Sequence, residues 1–407
     1  MPVLSNTGSR LHRTGQFAMW ASSYANVTWW TSAFDHFRKV FLFDADSEFC
    51  ASNNLRIKLF RGCSYVTNFS FKRLLDQNLL AKKILSGMRA DTSKPDVIFC
   101  ALPPVEIAGA VVEYARENKI PVVLDMRDMW PDIFVDHVPK LLRSIASIAL
   151  SPLFLQARST LRKATAITGI TDSFVQWGLT KADRIKTKFD VSFPFSYPSV
   201  SFELEKISVA NRFWDSIGVR QGDSVFTVCF FGTLGRQFDF QTVFRAFSYL
   251  KGRARLVVCG VGDKSADIQN MAKGMDNILF PGWVDASKIH SLMRRSSAGL
   301  DPLPDRYDFI ASINNKAIEY LSAGLPVISS PQKGELYDFL RKNACGVSFT
   351  PGDCRGLADL ISSLISNPNE VKEMSDAATR CFMSNFESNA VHSRMLKYLQ
   401  SIVSEPY

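Results

Sequence analysis

Apolar runs of strand length alternate with amphipathic, helix-length stretches along this chain, and the alternation occurs twice. In the first half the runs are NVTWWTS, KVFLFDA, DVIFCALP, PVVLDMR and ATAITGIT, with helical stretches such as 104–118 between them. In the second half they are VFTVCFFGT, ARLVVCG, NILFPGWV, SAGLDPL, LPVISS and CGVSFT, separated by helical stretches such as 240–251 and 285–295. Short strands alternating with helices build parallel sheets through crossover connections, because parallel neighbours cannot be joined by a tight turn. The pattern restarts near residue 225, and the polar, proline-containing stretch 192–222 reads as the connection. A chain of 407 residues is too long for one ordinary core. The expectation is therefore an α/β chain of two doubly wound parallel-sheet domains, 1–196 and 197–385, followed by a helical stretch 386–407. The first half opens in SNTGSRLHRTG, a glycine-containing loop of the kind that follows a strand, yet no strand precedes it. Either the chain starts downstream of a longer one or its first sheet lacks the usual first strand.

The composition, 46% hydrophobic and 21% charged, is that of a folded globular chain, and no apolar run reaches the roughly 18 residues a membrane span needs. The N-terminal stretch has no apolar core after its charges, so it does not read as a secretory signal and a cytoplasmic location is expected. The eight cysteines are scattered without a Cys-x-x-Cys, and the five histidines lack metal-ligand spacing, so neither a cofactor nor a metal is expected. Charge is uneven. Residues 1–200 hold 25 Lys and Arg against 17 Asp and Glu, a net +8 of the total +9. That half is expected to face something anionic, a membrane surface or a nucleic acid, and no nucleic-acid-binding motif is present.

Three stretches of the second half could hold phosphate at strand ends, where helix N-termini point. FFGTLGRQ offers Gly232, Thr233, Leu234 and Gly235, with Arg236 able to fork onto phosphate oxygens; CGVGDK offers Gly260 and Gly262. ASINN, with Ser312, Ile313, Asn314 and Asn315, supplies free N–H groups ahead of the helix KAIEYL. Each glycine pair is ordinarily a tight turn, and Gly260-x-Gly262 lacks the third glycine of a dinucleotide fingerprint. Lys316 and Glu319 share one helical face, where a plain surface ion pair would contribute only about 0.2–0.5 kcal/mol. The three loops fall at equivalent ends of one sheet.

These stretches resemble the retaining family 4 glycosyltransferases of the GT-B fold. FFGTLGR, LVVCGVGD, ILFPGWV and above all NNKAIEYLSAGLPVISS carry the likeness in the second half. GSRLHRTGQFA, VTWWTSAFDHFRK and PVVLDMRDMWPD carry it in the first, where they look like the subgroup that builds lipid-linked bacterial surface polysaccharide such as O-antigen and capsule. The resemblance implies two Rossmann-like domains facing across a cleft, with the terminal helix crossing back to the first. It implies a nucleotide-sugar donor, usually UDP-linked, held by the second domain, and a lipid-linked saccharide acceptor on the first. Glu319 would hold the ribose hydroxyls, Lys316 and Arg236 the diphosphate, and the backbone of Gly282, Trp283 and Val284 the base. Arg127 and Asp128 stand where the family has a His-Asp pair at the donor sugar. Gly8, Arg13 and Gly15 belong to an N-terminal loop that reaches toward donor and acceptor. A helix N-terminus with a lysine one turn in would meet the charge that develops on the leaving diphosphate, which gives Lys316 a purpose that capping does not.

The chain also departs from the family. Ala311 stands where many members have a Glu that contacts the donor sugar, and the common Lys after the first glycine loop is absent, with Phe238 and Asp239 nearby instead. A GT-B nucleotide-sugar epimerase or hydrolase and a non-enzymatic nucleotide-binding protein are the alternatives, since fold does not settle function. Asp44-x-Asp46 could hold a metal-bound nucleotide sugar, or be a strand end with solvated carboxylates. Two basic amphipathic stretches, FSFKRLLDQNLLAKKILSGMR and KLLRSIASIALSPLFLQARSTLRK, could lie on an anionic inner-membrane surface or pack on the sheet as ordinary crossover helices.

Overall fold

VTWWTS forms strand β1 (Val27–Ser32), followed by the two-residue strands β2 (Phe34–Asp35) and β3 (Val40–Phe41) and by a hairpin of β4 (Ser47–Ser52) and β5 (Leu55–Phe60). This computed structural model describes residues 12–36, 38–67, 70–136 and 138–405. The chain divides into two units, Met1–Phe193 together with His392–Tyr407, and Pro194–Val391. In the first unit β1, β5 and β4 form a mixed sheet, with β5 parallel to β1 and antiparallel to β4. Burial alternates along β5, so Leu55, Ile57 and Leu59 enter a core with Trp29 and Ala33 while their neighbours stay half-buried. The hairpin is absent from the sequence reading because β4, SEFCAS, is a polar edge strand. KVFLFDA, expected as a full strand, forms only β3.

A second, fully parallel sheet of this unit runs β6 (Ile98–Leu102), β7 (Val122–Met126), β8 (Ala166–Gly169) and β9 (Val191–Ser192). Every residue of β7 is buried. The terminal helix Ser388–Ser404 ends in this unit, where the Tyr398 hydroxyl donates to the Phe189 carbonyl at 2.6 Å. Asp44 and Asp46 are engaged by cations. Lys83 Nζ donates to Asp46 at 2.9 Å, the Arg61 amide donates to it at 2.7 Å, and the Arg61 guanidinium pairs with Asp44 at 3.2 Å.

All six apolar runs of the second half are strands: β10 (Phe226–Phe231), β11 (Ala254–Cys259), β12 (Ile278–Gly282), β13 (Ala298–Pro302), β14 (Val327–Ser330) and β15 (Gly346–Ser348). They form one parallel sheet in the order β12-β11-β10-β13-β14-β15. The helices Phe240–Ser248, Ser265–Met271 and Cys354–Ser366 pack a core on one face. Ala286–Met293, Asn315–Ser322 and Glu335–Asn343 pack a core on the other. Burial on both faces is why β10, β11, β13 and β14 read as continuous apolar runs, while the edge strands β12 and β15 are partly buried. The strand order reverses between β10 and β13, and that switch point is where an open α/β sheet binds ligands, outside the carboxyl ends of the two strands.

Candidate functional site

The helix Asn315–Ser322 stands over this switch point, and its sequence explains its position. Ala317, Ile318, Tyr320 and Leu321 are buried, while Lys316 and Glu319 lie one turn apart on the remaining face. The Tyr320 hydroxyl sits 3.0 Å from the Leu300 carbonyl and 3.2 Å from that of Cys229, which ties the helix to β13 and β10 together. Gly299 makes the approach possible, since a Cβ there would lie 2.2 Å from the Tyr320 ring. Asn314 caps the helix: its Oδ1 accepts from the Ala317 amide at 3.0 Å, and its Nδ2 donates to Asp301 Oδ2. The first-turn N–H groups of Asn315 and Lys316 then have no partner within the helix.

Asp301, at the end of β13, is fully buried, and Lys316 Nζ lies 3.5 Å from its second oxygen. That is long for a charge-assisted hydrogen bond, which closes to about 2.7–2.9 Å. The ammonium also lies 4.0 Å from the Phe238 ring centre and 4.4 Å from that of Phe230, a geometry in which ring quadrupoles attract a cation. Burial pushes the Lys316 pKa below that of a free lysine, and the carboxylates of Asp301 and then Glu319 oppose the shift. Phe238 stands in the region where the resemblance leads one to expect a second lysine, and it faces Lys316 instead. Asp301 was not among the residues the sequence pointed to; its signal was a lone carboxylate inside the apolar run SAGLDPL.

The glycine loops differ from the expected phosphate cradle. The Gly232 amide donates to the Cys259 carbonyl at 3.1 Å, and the Leu234 amide to that of Val261 at 3.1 Å, so these two donors are already engaged. Leu234 is itself a core residue. The Gly260 amide donates to Gly282 at 2.8 Å. A Cβ on Gly260 would lie 1.9 Å from the Gly232 carbonyl oxygen, and one on Gly262 would lie 2.2 Å from that of Leu234. Gly260 and Gly262 are therefore needed for the packing of one loop on the other. Thr233 and Gly235 keep amides without a protein acceptor among the described residues. Gly260 also has φ +134, so Gly260→Ala combines a clash with backbone strain. It is expected to lower unfolding free energy by at least about 1–3 kcal/mol, read from urea denaturation.

Around this centre, Arg236 is exposed and lines a cavity of about 450 Å³ with Gly235, Gln237, Phe238 and Lys264. Lys264 pairs with Asp267 at 2.6 Å, whereas Arg236 has no ion pair among the described residues. Gly282 has φ +77, Trp283 after it is 71% exposed, and Val284 packs on the core. Ser312 turns inward, its amide and its hydroxyl both donating to the Phe309 carbonyl at 3.1 Å, and Ile313 is buried beside it. The Ser312 amide is therefore not the free donor expected. Ala311 is buried.

In the first unit Arg127 and Asp128 follow β7, with the Arg127 amide donating to Leu102 at 3.0 Å and Asp128 exposed. Arg13 and Gly15 do not form a loop. Both are buried in the helix Arg13–Ala21. The Arg13 guanidinium pairs with the fully buried Asp125 on β7 at 2.9 Å, and the same carboxylate accepts from the Thr168 hydroxyl at 3.0 Å. A carboxylate in a buried strand requires a counter-cation; Arg13 is the one paired with it, and the positive charge of Arg127 also acts on it. Gly8 lies outside the described residues.

Residues 225–367 match the family model described as glycosyl transferases group 1. The glycogen synthases of two Mycobacterium tuberculosis strains are 29% identical to this chain over 112 residues, which are 28% of this chain and 26% of theirs. The match thus spans about a quarter of the length of these curated relatives. Among solved structures, a sucrose-phosphate synthase from Thermosynechococcus elongatus superposes with TM-score 0.68 at 13% identity, covering 96% of this chain and 92% of its own. HepE of Anabaena, solved with UDP and glucose, gives 0.66 at 13% identity, with 97% of each chain covered. A UDP-forming α,α-trehalose-phosphate synthase from Burkholderia xenovorans gives 0.68 at 14% identity, with 98% of each covered. The chain has the GT-B fold and carries a glycosyl transferase group 1 segment in its second unit.

Proposed function

We propose that the chain is a retaining glycosyltransferase that moves a sugar from a UDP-linked donor to a lipid-linked saccharide in the synthesis of bacterial surface polysaccharide. One observation carries the reading: the Lys316 side chain is 13% exposed at the switch point of a parallel sheet, and its ammonium is only loosely engaged by Asp301. Sugar transfer leaves negative charge on the departing diphosphate, and a cation beside a helix N-terminus stabilises that charge as it develops. Arg236 is the second cation in this reading, and the Thr233 and Gly235 amides are the remaining loop donors. Glu319 accepts from the ribose hydroxyls, and the Gly282–Val284 backbone reads the base. Arg127 and Asp128 orient the donor sugar. In a front-face reaction the leaving diphosphate takes the acceptor's proton, so no carboxylate pair is required. The group 1 match and the UDP named in the HepE and trehalose-phosphate synthase structures support a UDP-sugar donor. The net +8 of residues 1–200 supports an acceptor at an anionic membrane surface. The names of the glycogen, sucrose-phosphate and trehalose-phosphate synthases favour a second reading, in which the acceptor is a soluble saccharide.

The test is a panel of nucleotide sugars screened by thermal shift. A UDP-sugar at a hundredfold its dissociation constant adds about 2.7 kcal/mol of stability, a shift of several degrees. Glu319→Ala removes a carboxylate whose hydrogen bonds are worth about 1.5–3 kcal/mol each, so the shift should shrink or vanish at the same ligand concentration. A wild type that no nucleotide sugar stabilises would count against the reading. Product analysis with the donor alone separates transfer from epimerisation.

A further inference from the structure

We infer that the segment Leu141–Leu155 of the first unit inserts its apolar side chains into an anionic lipid surface. This rests on the membrane-borne acceptor proposed above and names the element that makes the contact. The helix Arg143–Ala149 has no buried residue. Leu141 is 94% exposed, Ile148 74%, Leu155 65% and Ile145 64%, with Leu142 half exposed. Single exposed leucines are ordinary on a folded surface, but five exposed apolar side chains within fifteen consecutive residues mark a contact site. The next helix, Ser151–Lys163, shows how a crossover helix normally behaves: Ala157, Thr160 and Leu161 are buried, and Leu155 at its start is not.

The other basic stretch does not compete for this role along most of its length. The helix Phe71–Ala90 buries Leu80, Ala81, Ile84 and Met88, so its apolar face belongs to the core.

Charge identifies what the segment meets. Between Asp136 and Asp172 the chain has no acidic residue and five cations, Lys140, Arg143, Arg158, Arg162 and Lys163. Arg158 is engaged by Asp183 at 2.6 Å. A second copy of the chain would bring a like-charged surface to the segment, whereas anionic headgroups complement it. No described helix is long and apolar enough to cross a membrane, and Pro152 stands in the first turn of the second helix, so the element has the form of one that lies in the interface.

The experiment is co-sedimentation of the full chain with phosphatidylcholine vesicles, with and without phosphatidylglycerol, at low and high salt. Insertion of apolar side chains is not screened by ions, so the wild type should remain on the anionic vesicles at high salt. Ile145→Ser/Ile148→Ser should reduce that high-salt binding by at least about tenfold. Both side chains are exposed, so melting and UDP binding should be unchanged and serve as controls. Equal binding by wild type and variant would overturn the proposal and leave peripheral attachment by other basic residues standing. No vesicle binding by the wild type, with UDP still bound, would overturn both the insertion and the membrane-borne acceptor while sparing the donor site. A variant that only converts a dimer into a monomer would make the segment a contact between copies and overturn the proposal.

Discussion

Lys316→Met is expected to slow UDP release from the donor sugar by about one to two decades, with a smaller loss of UDP affinity. The magnitude follows from one charge-assisted hydrogen bond, about 1.5–3 kcal/mol, at about 1.4 kcal/mol per decade. The split follows from where the charge appears: the donor's leaving oxygen carries its full charge only as the glycosidic bond breaks, so the ammonium helps the transition state more than the ground state. In the free protein the ammonium lies 3.5 Å from Asp301, too far for a tight bond, and the carboxylate opposes the effect of burial on it. Its pKa is lowered by burial, so the rate should fall with rising pH before a solvent-exposed lysine would titrate. Bound diphosphate moves that limb to higher pH, because it favours the charged form. The substitution also strips a buried carboxylate of its cation, so melting must be measured alongside. The double variant Lys316→Met/Asp301→Asn leaves no unpaired charge and should show the same loss of turnover in a better-folded protein. Wild-type turnover in either variant would remove Lys316 from the chemistry.

The residues that were readable in the sequence and those that were not differ in how far their partners lie along the chain. Strands β10, β11, β13 and β14 were readable because burial on both faces writes itself as a local apolar run. The face carrying Lys316 and Glu319 was readable because Ala317, Ile318, Tyr320 and Leu321 occupy the complementary positions of the same helix. Asp301 was not, because a lone carboxylate at a strand end acquires meaning only when β13 lies beside β10 and the Asn315–Ser322 helix covers both. The glycines of the two loops were noticed, but their reason was non-local: Gly260 is fixed by the carbonyl of Gly232 on the neighbouring strand's loop. The β4–β5 hairpin escaped because a polar edge strand lacks the apolar signature that marks the others. The likeness to a family placed Arg13 and Gly15 in a loop, whereas this chain packs both into a helix.

Arg13 provides the second large effect, and it separates those two accounts. Arg13→Met is expected to destabilise the protein by up to about 3–5 kcal/mol, because the fully buried Asp125 then keeps the Thr168 hydroxyl and the field of Arg127 but has lost the cation hydrogen-bonded to it. For a unit of this size that corresponds to a fall in melting temperature on the order of ten degrees. Arg13→Lys restores the charge without the fork and should recover part of it. Arg13→Met/Asp125→Asn removes the uncompensated carboxylate and should melt above the single variant, which a role for Arg13 in substrate binding alone would not produce. UDP affinity should be unchanged in every one of these variants at temperatures below their melting, since the donor nucleotide is assigned to residues of the other unit. If Arg13→Met instead melted like the wild type and lost transfer, Arg13 would be a substrate contact and its pairing with Asp125 incidental. The ion pair spans 112 positions of sequence and joins the first described helix to an inner strand of the parallel sheet. Its loss should therefore also raise hydrogen exchange along β7, the strand that both its partners brace.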